Sequence, residues 1–98
     1  MIIDEICQSI QQRKLLSIYY EGEYRRIEPH VYGESEAGKI LIRAYQVEGF
    51  SKSGDNYFWK LFDQDKITFI NLLDERFPGP RKEYVLQDPA IAKVYCQL

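Results

Sequence analysis

Residues 2–13, IIDEICQSIQQR, place Ile3, Ile6, Cys7 and Ile10 at the spacing of one helical face. Asp4 and Glu5 in the first turn and Arg13 in the last suit the helix dipole. The pattern predicts an amphipathic helix of about three turns, which needs a surface to pack on. The periodicity then changes. Residues 15–20, LLSIYY, are β-branched and aromatic, Glu21-Gly22-Glu23 supplies a turn, and YRRIEPH resumes as a strand. Pro29 is expected to end ladder pairing or mark an edge.

Residues 33–38, GESEAG, read as a polar loop, and 39–47, KILIRAYQV, as the clearest strand. Ile40, Ile42 and Ala44 point one way along it, and Leu41, Arg43 and Tyr45 the other. Residues 49–56, GFSKSGDN, read as a loop. In FWKLFDQDKI, residues 58–67, Trp59 and Leu61 share a face with Asp63 and Asp65, and Phe58, Lys60 and Phe62 take the other. Apolar residues on both faces predict contact on both sides. DQDK reads as a turn or bulge before ITFINLL, 67–73, and FPGPRKE, 77–83, is turn-rich. Asp88, an N-cap, and Pro89, at the first helical position, predict a C-terminal helix over 89–97.

The order is helix, about five short strands joined by short loops, helix. That is a mainly β, α+β chain with an antiparallel sheet. Five strands over about 15–73 close most easily into a small SH3-like or Sm-like barrel, flanked by the helices at 2–13 and 89–97. The 98 residues form a single domain.

An apolar content of 45% and a charged content of 29% are ordinary for a globular chain. The net charge of −2 excludes a globally basic nucleic-acid binder but leaves room for a local basic patch. Cys7 and Cys96 lack a metal-binding spacing and read as buried free thiols. A disulfide joining them is the alternative and requires Cα atoms within about 7 Å. No signal peptide is visible, and no segment approaches the roughly 20 apolar residues of a membrane span. The expected compartment is the cytoplasm, with no membrane partner.

The segment from Arg25 to Phe77 resembles the WYL domain family. RRIEPH carries that family's Arg four residues before a Pro, here Arg25 and Pro29. ILIRAY, 40–45, aligns with the strand that names the family. FDQDKI, 62–67, is similar to its F-R-L-D-R-I, with Phe77 about ten residues on. The Trp-Tyr-Leu triplet is replaced by Ile40, Leu41 and Ile42, and Asp63 and Gln64 stand for the Arg and Leu of the second motif. The chain therefore resembles a divergent, stand-alone member. The resemblance implies an Sm-like barrel and a ligand-sensing regulatory role, with nucleic acid or nucleotide fragments as ligands and a regulatory protein as partner.

Arg25, Arg43, Lys60 and Lys66 come from different strands or strand ends, and a barrel can gather them around a phosphate or carboxylate. Tyr45 shares a face with Arg43, so a base can stack on one while the other meets a phosphate. Against this stands scattered surface charge paired with Glu28, Asp63 and Asp65. Trp59 reads as core or as a plug at the barrel end, with a stacking platform as the alternative. His30 reads as structural or exposed, and Asp65 as a turn cap or ion-pair partner. Tyr19, Tyr20 and Tyr24 flank the first hairpin, where an exposed aromatic patch points to an interface. No nucleophile converges with a base, so the sequence reads as a non-enzyme with no cofactor or metal. The competing function is a protein-interaction or oligomerisation module, such as a homodimer, without a small ligand.

Overall fold

The structure, a computed structural model, describes residues 2–49 and 58–98. The expected loop at 49–56 lies outside them except for Gly49, which ends a strand. Helix α1 (Ile2–Gln12) is followed by β1 (Lys14–Tyr20), β2 (Glu23–Glu34), β3 (Ile40–Gly49) and β4 (Phe58–Asp63). A three-residue 3₁₀ turn (Gln64–Lys66) leads to β5 (Ile67–Arg76), and β6 (Lys93–Gln97) is the last described strand. Among the described residues the fold is mainly β: one antiparallel sheet of six strands and one α-helix.

The helix stops where Arg13 adopts φ 56°, a left-handed conformation that turns the chain into β1. Arg13 therefore sits beyond the helix rather than in its last turn. Ile6 and Ile10 are fully buried against the sheet, each contributing about 1.5–3 kcal/mol relative to exposure. The inner sheet face presents Leu16, Ile18 and Tyr20 of β1, Ile27 and Tyr32 of β2, Ile42 and Ala44 of β3, and Phe62 of β4. These form one core with the helix.

The strands run in the order β4-β3-β2-β1-β5, and β6 pairs with β2 off this path. Among the described residues, hydrogen-bonded pairing does not close the sheet into a barrel, because β4 pairs only with β3 and β5 only with β1. Yet three residues join β4 to β5, so these opposite ends of the path meet at one corner. There the Asp63 backbone N–H donates to the Tyr20 hydroxyl (3.1 Å), and Glu21 N–H donates to Lys66 O (3.0 Å). Asp63, not Asp65, caps the turn: its carboxylate accepts from the Asp65 N–H at 3.0 Å.

Pro29 does not end pairing. It lies opposite Ala44 inside β2, and the register slips between Pro29 and Val31. Such a bulge tolerates proline in a central strand and re-aims the next side chain. Around it Glu28 and His30 face outward, and Val31 joins Leu41 and Ile91 in a small second cluster on the outer face.

The C-terminal helix expected over 89–97 is a turn followed by β6. Asp88 does cap, but it caps a turn: its carboxylate accepts from Ala90 N–H (2.9 Å), and its carbonyl accepts from Ile91 N–H (3.1 Å). The chain then straightens and pairs with β2 through Gly33↔Val94 and Tyr32↔Cys96. Gly33 makes this approach possible, since a Cβ there would stand 2.2 Å from Lys93 O. Tyr95 packs edge-on against Tyr32, and its hydroxyl donates to Glu34.

The cysteines are not free thiols. Cys7 of α1 and Cys96 of β6 form a disulfide, with Cα atoms 5.7 Å apart. No described helix is long and apolar enough to cross a membrane.

Candidate functional site

The five residues expected to bind a ligand do not share one face. Arg25 is 5% exposed and points into the sheet's inner side, with its guanidinium 5.0 Å from the Tyr20 ring centre and 5.6 Å from that of Phe62. It donates to Gln46 at 3.5 Å, and burial depresses its pKa. Lys60 lies opposite Ala44 and so takes the inner side as well. Arg43 and Tyr45, opposite Leu61 and Trp59, take the outer side. Lys66 stands apart in the 3₁₀ turn, 3.8 Å from Glu21.

The outer pair belongs to a constellation completed by the segment between β5 and β6, which crosses the outer face of β2–β3–β4. Arg81 makes a two-pronged ion pair with Glu28 (2.7 and 2.9 Å), and its guanidinium sits 4.3 Å from the Tyr45 ring centre. The Arg81 backbone N–H donates to His30 Nε2 at 3.1 Å. His30 Nδ1 therefore carries the proton and donates to the Glu28 carbonyl at 2.8 Å. His30 is fully buried, with Trp59 (4.6 Å), Tyr84 (5.2 Å) and Phe77 (5.6 Å) around its ring. Burial pushes its pKa down. It is a structural residue.

Arg43 closes a second two-pronged pair, from Nε and Nη2 to Asp88 (2.6 and 3.3 Å). Burial raises the Asp88 pKa, but the Arg43 hydrogen bond, the Ala90 N–H and the Arg43 charge together outweigh it, and the carboxyl ends below its usual range. Arg43 Nη1 has no hydrogen-bond partner among the described residues.

Between these anchors lies a cavity of about 200 Å³, lined by Arg43, Trp59, Glu83, Tyr84, Val85, Asp88 and Pro89. Trp59 comes from β4, and its indole N–H donates to Lys82 O (3.3 Å). Its ring lies nearly parallel to that of Tyr84, 20° apart, with centres 6.3 Å apart. Trp59 is thus half-buried as a cavity wall. Glu83 holds φ 73°, a left-handed backbone for a non-glycine residue, and this kink lets Glu83 and Tyr84 both line the cavity.

A ligand pocket for a whole small molecule spans roughly 300–1,000 Å³. The present cavity holds one ring-sized group. Its walls offer flat aromatic surface, and its polar rim offers one guanidinium edge and two carboxylates. Among the described residues no group of three His, Cys, Asp or Glu side chains could hold a metal ion.

Five of the seven lining residues, Glu83 to Val85 with Asp88 and Pro89, come from a segment with no periodic pattern. The one sequence signal was the Asp88-Pro89 pair, which reads as a helix start. The chain matches no family model, no curated protein and no solved structure.

Proposed function

We propose that this protein is a small recognition module, a divergent WYL-like domain without catalytic activity, that binds a nucleotide or a short single strand. The observation that carries the reading is the aromatic-walled cavity beside Arg43. A nucleobase is planar and matches a cavity of about 200 Å³. It would lie against Trp59 and Tyr84, with its amino group toward Glu83, and Arg43 Nη1 would face the phosphate. Base–aromatic stacking is worth about 1–3 kcal/mol.

This site keeps Arg43 from the expected set and replaces Tyr45, which Arg81 already covers, with Trp59 and Tyr84. Arg25, Lys60 and Lys66 have no part in it. The Sm-like barrel belongs to the same proposal. It is supported by the helix-then-strands order and by the corner where the ends of the sheet path meet.

The test is fluorescence anisotropy of labelled short single-stranded DNA and RNA, at low and moderate salt, with Arg43→Gln and Trp59→Phe beside the parent. The expected result is salt-dependent binding weakened by both substitutions. Flat titrations, or binding indifferent to both, would refute the reading.

A second reading is an interaction or oligomerisation module. It is favoured by the edges of β4 and β5, each with a single strand partner among the described residues. Sedimentation at increasing protein concentration tests it, and a monomer throughout counts against a homodimer.

The compartment is part of the proposal. The sequence points to the cytoplasm, but the Cys7–Cys96 bridge supports an oxidising compartment, because cytosolic thiols are kept reduced.

A further inference from the structure

One buried group ties the walls of the cavity to the acidity of the medium. The segment between β5 and β6 turns at residues 81–84, where the Tyr84 N–H donates to Arg81 O (3.1 Å). Glu83 in this turn holds φ 73°, which an L-residue adopts only against a steric penalty, so the turn persists because both of its ends are pinned. Both pins are made by His30. Its Nε2 accepts the Arg81 backbone N–H at 3.1 Å, and its ring centre lies 5.2 Å from that of Tyr84. The same ring lies 4.6 Å from Trp59, so one imidazole supports both aromatic walls of the cavity.

These contacts require a neutral ring. Nδ1 already donates to the Glu28 carbonyl (2.8 Å), and Nε2 is the acceptor. A proton taken from water onto Nε2 turns that acceptor into a donor aimed at another donor, the Arg81 N–H. The charged groups that act on the ring are Glu28 of β2 and Arg81, and they already neutralise each other in their two-pronged pair. Tyr84 brings a hydroxyl that donates to Leu98 O (3.3 Å) and stays protonated, since burial raises its pKa. Phe77 and Trp59 bring uncharged rings, and Tyr45 of β3 stands behind Trp59, covered by Arg81. His30 is fully buried, so an imidazolium there is unsolvated until the turn lifts.

We infer that His30 is the proton-operated latch of the cavity: a proton on Nε2 frees the Arg81–Tyr84 turn and parts Tyr84 from Trp59. The latch needs no ligand; that its release expels one rests on the nucleotide reading above. In the open form the ring is an ordinary imidazole, whereas in the closed form burial penalises its charge. The open form therefore takes up a proton first. Its share rises by up to about tenfold for each pH unit below about 6.5, until the closed ring titrates too.

The test compares the parent with His30→Gln, whose amide oxygen can accept the Arg81 N–H and takes no proton in this range. The readout is acrylamide quenching of Trp59 fluorescence from about pH 7.5 to about pH 5, above the range of exposed carboxylates. Binding of oligo-dT carrying a non-titrating label is followed over the same range, and far-UV circular dichroism reports whether the sheet persists. The expected result is quenching that rises on acidification in the parent and stays flat in His30→Gln, with the sheet intact in both. Parent affinity should fall by up to about tenfold per pH unit once the open form predominates. If His30→Gln does not fold, the parent decides alone. His30 is the chain's single histidine and Trp59 its single tryptophan, so the imidazole NMR titration and the quenching must share one midpoint. Quenching that ignores pH, that rises equally in His30→Gln, or that departs from the imidazole midpoint overturns the latch. So does a response that coincides with loss of the sheet, which is global unfolding. If oligo-dT binds at no pH while Trp59 still responds through His30, the latch is upheld and the nucleotide reading falls.

Discussion

Reducing the Cys7–Cys96 disulfide should cost this domain a large part of its stability. The bond joins residues 89 positions apart, so it closes nearly the whole chain into a loop. In the chain-entropy description such a loop removes roughly 15 cal/mol/K from the unfolded ensemble, about 4.6 kcal/mol at 25 °C. Domains of this size have a total stability of about 5–15 kcal/mol. The reduced protein should remain folded but marginal. The perturbation is Cys7→Ser/Cys96→Ser, or a strong dithiol at neutral pH, and the assay is urea denaturation followed by the fluorescence of Trp59. With a slope of roughly 1.5 kcal/mol per molar urea, the midpoint should fall by about 3 M. The slope itself should rise, because the uncrosslinked chain exposes more surface when it unfolds. A midpoint that moves by a few tenths of a molar or less would refute the reasoning. It would mean that the bridge is not formed in solution, or that the native state gains nothing from it.

Gly33→Ala should lower the thermal midpoint, since the added Cβ meets Lys93 O at 2.2 Å and Ile91 Cγ2 at 2.6 Å. Overpacking of this kind costs about 1–3 kcal/mol, several degrees for each kcal/mol in a domain this size, and an unchanged midpoint would show that β6 does not rest on Gly33. The buried His30 makes stability fall on mild acidification. Its native pKa is depressed by burial, so the unfolded chain takes up a proton first, from about pH 6.5 downward. The loss continues until the native ring protonates too, and protonation of Nε2 ends its acceptance from Arg81 N–H. An imidazole NMR titration should place His30 below the ordinary value, and a midpoint at or above about 6.5 would contradict the burial described.

Much of the sheet was readable because its strands state their two faces locally. KILIRAYQV alternates residue by residue, and β3 follows it with Ile42 and Ala44 inward and Arg43 and Tyr45 outward. The turn signals at Glu21-Gly22-Glu23 and Gln64–Lys66 fell where the chain turns. The end of the chain misled for a physical reason. Asp88 and Pro89 are good helix starters, but Lys93–Gln97 gains more from pairing along β2 beside Gly33 than from a short isolated helix. The partner that decides this lies about sixty residues away, and no local pattern reports it. The cavity was hidden for the same reason. The strand pattern put Arg43 on the face that the cavity occupies, but Tyr45 beside it lies under Arg81, and what completes the lining is Asp88, Tyr84 and Glu83, held by long-range pairs across an irregular segment. Arg25 illustrates the converse. A cation on a strand suggests a ligand, and here its guanidinium packs on Tyr20 and Phe62 instead.

The bridge between α1 and β6 also decides how the domain responds to pulling. Tension applied to the chain ahead of Cys7 and beyond Cys96 runs through helix, sulfur and strand without crossing the rest of the sheet. The residues between the two cysteines carry none of the load. Placed in a stretched filament or tether, the domain would behave as an inextensible link. Once the bond is reduced it could pay out the 89-residue stretch, up to about 300 Å of extended backbone.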